Sequence, residues 1–157
     1  MSADDNSPSA PTGQCADLLL QNQLCYSLYS TSLMMTKVYK PLLLDLNLTY
    51  PQYLAMLVLW ETDGLTVSDI SARMLTDPGS MTPLLKRLEA EGLIHRTRGK
   101  EDERVVRLYL SEQGKALYDR AKRIPACVLA ASGLNQEQLR DMQKSLLKLR
   151  AQLHGGL

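Results

Sequence analysis

Thr66-Val67-Ser68-Asp69-Ile70, then Leu75-Thr76-Asp77-Pro78-Gly79, then Gly99-Lys100-Glu101-Asp102-Glu103-Arg104 punctuate residues 65–113, and their order decides the fold. The first segment opens a short helix in which apolar Val67, Ile70 and Met74 recur at helical spacing. The second segment breaks it. The next helix carries Met81, Leu84, Leu85 and Leu88 at the same spacing and stops at Gly92. Residues 93–98 and 105–110 read as two strands, and the third segment is the charged tip between them. Two helices followed by a β-hairpin make a winged helix-turn-helix. That order of parts lays a helix in the major groove of DNA and an arginine-bearing finger beside it.

Composition neither adds to this reading nor opposes it. The 157 residues suffice for one modest core, and with Phe absent the apolar role falls to Leu, Met and Tyr. Net charge is only +1, but its distribution is uneven: −4 over residues 1–65, +1 over 66–110 and +4 over 111–157. The middle segment carries Lys86, Arg87, Arg96, Arg98, Arg104 and Arg107, with most of its acids on turns, so a basic stripe is expected rather than a strongly basic domain. Residues 1–14 are rich in Ser, Pro and Asp, have no apolar core, and read as a disordered segment rather than a signal peptide. No apolar run approaches a bilayer span. Three cysteines (Cys15, Cys25 and Cys127) and two histidines (His95 and His154) fit neither a secreted disulfide framework nor a metal site. No metal, cofactor or membrane partner is expected, and a cytoplasmic protein with free thiols is.

The remaining chain reads as helical, making the fold mainly α with a small β-hairpin wing. From about Cys15 to Leu46, apolar residues recur every three or four positions, as one helix or two, bent near Pro41. Thr49 caps the next helix with Pro51 in its first turn, and that helix ends at Asp63-Gly64. Ser111 opens another, interrupted by Pro125. Asn135 caps the last, which aligns Leu139, Met142, Leu146, Leu149 and Leu153 in one stripe. Long terminal helices with apolar stripes most often pack on a second copy, so a helical homodimer with two winged heads is expected. In this division residues 15–157 form a single domain: 15–64 and 111–157 supply dimerisation helices, and 65–110 form the DNA-binding head.

Tyr50-Pro51-Gln52-Tyr53-Leu54, Leu57-Val58-Leu59-Trp60-Glu61, the run Thr82-Pro83-Leu84-Leu85-Lys86-Arg87-Leu88-Glu89 and Asp102-Glu103-Arg104 resemble the MarR family of transcription regulators. Asn22-Gln23-Leu24-Cys25-Tyr26-Ser27-Leu28-Tyr29 is similar to its organic-hydroperoxide-sensing, OhrR-type branch, which usually has Phe where Tyr26 stands. The resemblance covers roughly residues 17–153.

Ser80, Met81, Thr82 and Lys86 lie on the early turns of the second helix, where Asp77 can cap and Pro78 takes the first position. They are candidate contacts to base edges and phosphates, with Arg96 and Arg98 on the wing strand. At the tip Asp102 is placed to hold the Arg104 guanidinium, and the resemblance implies that Arg104 enters the minor groove. Cys25, read from the residues alone, is either an inert small hydrophobe or a reactive thiol with Tyr29 four residues on along the same face. The resemblance implies the second, with Tyr39 and Tyr50 as further sensor tyrosines. Tyr39 would stand about 21 Å along a straight helix from Cys25, so it reaches a sulfur only from a partner chain. The resemblance also implies a resolving thiol after Pro125; Cys127 lies about one helical turn before the family's usual position, and Cys15 is the other candidate.

Together these imply a dimeric repressor, not an enzyme. Its partners are a near-palindromic double-stranded operator and an organic hydroperoxide, whose oxidation of Cys25 releases the DNA. A repressor released by a small phenolic ligand is the alternative within the family, and a thiol peroxidase the alternative from another class.

Overall fold

The computed structural model describes Gly13 and residues 15–157; the expected disordered segment, residues 1–14, lies almost wholly outside the described residues. The chain divides into two units, one ending at Lys37 and one spanning Val38–Leu157.

The first long helix, α1, runs Leu24–Leu44, through Pro41 and without the expected start near Cys15. Two 3-10 turns precede it, Ala16–Leu18 and Leu20–Asn22, with Leu19 and Gln23 extended. The cause is local. The Asn22 side-chain amide donates to the Ala16 carbonyl at 2.7 Å, and that of Gln23 donates to Leu19 at 3.2 Å and to Asp17. Such side-chain bonds give the backbone an alternative to the helix. Cys25 therefore stands second in α1 rather than in mid-helix.

In the second unit, α2 (Tyr50–Glu61) begins with a capping box: Thr49 accepts from the Gln52 N–H, and the Gln52 side chain accepts from the Thr49 N–H at 2.9 Å. A cap of this kind contributes about 1 kcal/mol. Strand β1 (Leu65–Thr66) leads into α3 (Val67–Met74), and α4 (Pro78–Ala90) follows. Next come β2 (Ile94–Arg98), β3 (Val106–Leu110), α5 (Glu112–Ala121), α6 (Ile124–Ser132) and α7 (Gln136–Gly155). The sheet is antiparallel in the order β1-β3-β2, with Leu65 opposite Leu108 and Ile94 opposite Leu110. The two-residue β1 is an addition to the expected hairpin.

The core is built from Met56 and Leu59 of α2, Ile70 of α3, Met81, Leu85 and Leu88 of α4, Leu108 of β3 and Ile124 of α6. Each is at most 2% exposed, which places about 1.5–3 kcal/mol of apolar burial on each large side chain. Helix α2 packs on α3, α4, α5 and β3, and α5 packs on β3. The head's own core thus extends beyond residues 65–110 to take in α2 and α5. Helix α7 buries no residue: Met142, Leu146 and Leu153 of its stripe are exposed. In the first unit Leu24, Leu28, Leu33 and Met34 of α1 are exposed as well. No helix among the described residues is long and apolar enough to cross a membrane.

Candidate functional site

The helix-turn-helix is fixed by its caps. Thr66 and Asp69 close a capping box at 3.0 and 3.1 Å, and Leu75, left-handed at φ 53°, ends α3. Asp77 then caps α4: its Oδ1 accepts from the Ser80 N–H at 3.0 Å and its Oδ2 from the Ser80 hydroxyl at 2.7 Å. A Cβ at Gly79 would stand 2.9 Å from Asp77 Oδ1, so glycine leaves the carboxylate room to turn inward. The Ser80 hydroxyl and backbone bonds hold the Asp77 carboxyl below the ordinary carboxylate value, and Thr66 does the same for Asp69.

Of the residues expected to meet DNA from α4, Ser80 and Lys86 are exposed and Thr82 half-buried. Met81 is a correction. It is 2% exposed, its side chain belongs to the core beneath α4, and it cannot reach a base edge. The hydroxyls are also more committed than their residue types suggest. Ser80 donates to Asp77, and Thr82 donates to the Pro78 carbonyl at 3.1 Å, so what each hydroxyl has left to offer is its acceptor lone pairs.

The wing tip is held as expected. Asp102 Oδ1 accepts from the Arg104 backbone N–H at 3.0 Å and from its Nε at 3.3 Å, while the Arg104 side chain stays 92% exposed. The Gly99 N–H donates to Val105 at 2.8 Å and closes the loop. Arg98 is exposed on β2. Arg96 is half-buried: its Nε donates to Glu89 Oε2 at 2.7 Å, and its Nη2 is buried with no partner among the described residues. That pair fastens the wing to α4 and leaves the Arg96 side chain 30% exposed. Arg107 is likewise occupied, donating to the Gly64 carbonyl at 2.9 Å. Among the described residues Lys86, Arg87, Arg98 and Lys100 are exposed and enter no ion pair, which leaves with Arg104 a basic face along α4 and the wing.

The three cysteines are free, Cys15 and Cys25 exposed and Cys127 half-buried on α6. In the first unit Tyr29 is 65% exposed, and among the described residues no partner fixes its hydroxyl. In the second unit the structure brings Tyr39 and Tyr50 together, ring centroids 5.1 Å apart, and adds Tyr53 at 5.8 Å from Tyr39. Burial first, then the neighbouring Tyr53 and Tyr50, push the Tyr39 phenol up to about 12. Burial followed by Tyr50 raises Tyr53. The Tyr39 hydroxyl therefore keeps its proton across the neutral range and remains a hydrogen-bond donor. Tyr53 was visible in the sequence only as part of a motif. Its place in this cluster follows from its three-residue offset from Tyr50 on one helix face. Among the described residues, no group of His, Cys, Asp and Glu is arranged to hold a metal ion.

Comparison with known proteins gives three findings. Residues 37–121 match the family of transcriptional regulators SarA/Rot. The organic hydroperoxide resistance transcriptional regulator of Bacillus subtilis (strain 168) is 48% identical over 135 residues, covering 86% of this chain and 92% of its own. Two structures of AbfR, a protein of Staphylococcus epidermidis, also match: the reduced form bound to DNA (TM-score 0.69, 31% identity, 87% of this chain and 93% of that one) and the overoxidised form bound to DNA (TM-score 0.63, 29% identity, 84% and 93%).

Proposed function

The chain belongs to the MarR-type transcription regulators of the SarA/Rot description and their organic-hydroperoxide branch, and on that premise we propose that it represses transcription as a DNA-bound homodimer that organic hydroperoxides release through Cys25. It is a regulator rather than an enzyme, which sets aside the thiol-peroxidase reading. The observation that carries the proposal is the 48% identity, over 86% of the chain, to a regulator of organic hydroperoxide resistance. The geometry supports it at both ends.

At the DNA end, the early turns of α4 enter a major groove. Ser80 and Thr82 face it as acceptors, matching the amino groups of cytosine or adenine. Lys86, with Arg98 beside the wing, meets phosphates. Arg104, pre-aligned by Asp102, reaches the adjacent minor groove, where narrow A/T tracts concentrate negative potential. The exposed stripes of α1 and α7 find cover in a second copy, and the two heads then read a near-palindromic operator in the cytoplasm.

At the sensor end, the Cys25 thiolate attacks the terminal oxygen of the hydroperoxide. The O–O bond breaks, the alkoxide takes up a proton and leaves as alcohol, and the sulfur, oxidised by two electrons, becomes a sulfenic acid. The thiol of Cys127 from the other protomer then attacks that sulfur and expels water, leaving a disulfide. Tyr29, and Tyr39 and Tyr50 from the other protomer, donate hydrogen bonds to the thiolate and orient it. A disulfide needs Cα atoms within about 7 Å, so α6 moves toward the dimer base as the bond forms. That the overoxidised relative is also seen on DNA fits a switch in which the crosslink, rather than added oxygen on one sulfur, dislodges the operator.

The test is a gel shift with the DNA upstream of its own gene. The reduced protein retards the fragment, a stoichiometric organic hydroperoxide abolishes retardation, and a thiol reductant restores it. Retardation that survives complete conversion of Cys25 to its disulfide with Cys127 contradicts the proposal.

A further inference from the structure

The chain's single tryptophan sits where two arguments meet. Trp60 is in the last turn of α2, and its indole N–H donates to the Gly114 carbonyl of α5 at 2.9 Å, across 54 residues. Its ring meets Tyr118 of α5 edge-on at 5.6 Å and Tyr53 of α2 edge-on at 6.4 Å. Tyr53 leads on to Tyr39 and Tyr50. Five of the chain's eight aromatic residues therefore form one file, from the tyrosine cluster at the start of α2 to the first two turns of α5.

The α5 end of this file is seated with little freedom. A Cβ at Gly114 would stand 2.1 Å from the Leu93 carbonyl, so this turn lies flat on the wing base. The Ser111 N–H donates to that same carbonyl at 3.0 Å, and the Ser111 hydroxyl caps Gly114 at 3.0 Å. Three residues beyond Trp60, Asp63 Oδ1 accepts from the Leu110 N–H at 2.9 Å. The end of α2 thus holds both the last residue of the wing and the first turns of α5. Beyond α5, after Lys122 and Arg123, comes α6 with Cys127.

We propose that Trp60 is the positioning residue that couples α5 to the winged head, so that the pull on α6 when Cys127 is crosslinked turns the head instead of sliding α5 across it. The proposal rests on the disulfide reading above. The indole bond supplies direction, and the edge-on rings of Tyr53 and Tyr118 supply a packed surface with little slack. With the bond removed and the ring kept, the head still reads DNA, but strain in α6 reaches it weakly.

The test compares W60F with the wild-type protein in three readings on one oxidised sample: the fraction crosslinked through Cys127, operator affinity before oxidation, and operator affinity after it. W60F is expected to crosslink at the wild-type rate and to bind as the reduced wild type does, yet to lose at least about tenfold less affinity on oxidation. W60F that crosslinks and releases as the wild type does overturns the proposal. Absence of any crosslink in the wild type is a different failure, that of the underlying reading. The wild type offers a measurement that needs no substitution, because all tryptophan emission comes from Trp60. The emission should stay unchanged as the crosslink forms, because α5 and the head turn together around an intact indole bond. Emission that shifts while the crosslink forms marks α5 sliding across the head and overturns the coupling, even where W60F folds poorly.

Discussion

The winged head and the first unit of the chain are made of similar apolar residues and end in opposite conditions. In the head, Met56, Leu59, Ile70, Leu85, Leu88 and Leu108 are closed off from water by residues of the same chain. In the first unit, Leu24, Leu28, Leu33 and Met34 share with Cys25 an exposed stretch of α1. A DNA-reading surface needs one chain to hold its shape. The thiol site proposed above borrows Tyr39, Tyr50 and Cys127 from another chain and is finished only on assembly. On that proposal recognition is stored in the fold of the protomer and control in the association of two protomers.

The largest test of this contrast separates the protomers. Met142→Glu with Leu146→Glu places two charges on the α7 stripe, at two side chains that are exposed in the protomer. Sedimentation should show monomers, circular dichroism an intact head, and operator affinity a fall of about 10²–10⁴, as two linked half-site contacts become independent. Loss of the head's fold in this variant would show that α7 is not an interface alone.

Cys25→Ser removes control without touching recognition. The reduced-state affinity should match the wild type, and release by organic hydroperoxide should disappear, because a serine hydroxyl is a poor nucleophile at neutral pH. Release that persists would restore the small phenolic ligand as the signal. Arg104→Ala is the converse. Its exposed side chain contributes to no core, so stability should hold while operator affinity drops by about 1–3 kcal/mol in a titration at fixed salt. Tyr39→Phe should be milder still, slowing Cys25 thiol loss without changing the affinity of the reduced protein.

The smallest expected effect lies within the head. The folded values of Asp69 and Asp77 are depressed below 3.8, so their caps stabilise α3 and α4 fully above that pH and are lost as pH falls through the lowered values. Acid titration of thermal stability should show this decline in the wild type and a shallower one in Asp77→Asn, which keeps a capping side chain that does not titrate.

The head was legible because its instructions are local. Thr49, Asp77 and Asn135 cap their helices as their places in the sequence imply, and Thr66 and Ser111, read as helix openings, prove to be caps as well. Asp102 beside Arg104 is a two-residue argument. What escaped was set by distant partners or by competition along the chain. Periodicity placed Met81 on the helix but did not tell its core face from its groove face. Arg96 reads as a free base until Glu89, seven residues earlier, is seen to bind it. The side-chain amides of Asn22 and Gln23 delayed the start of α1, and Trp60 meets Gly114 across 54 residues.

The most direct test of thiol-controlled recognition is to titrate operator-bound protein with an organic hydroperoxide, following anisotropy of the DNA and the Cys25–Cys127 crosslink by intact mass. Bound DNA should fall in step with the rise of crosslinked dimer, and both should reverse with a thiol reductant. Full crosslinking on DNA that stays bound, or release while both thiols remain reduced, would contradict the account.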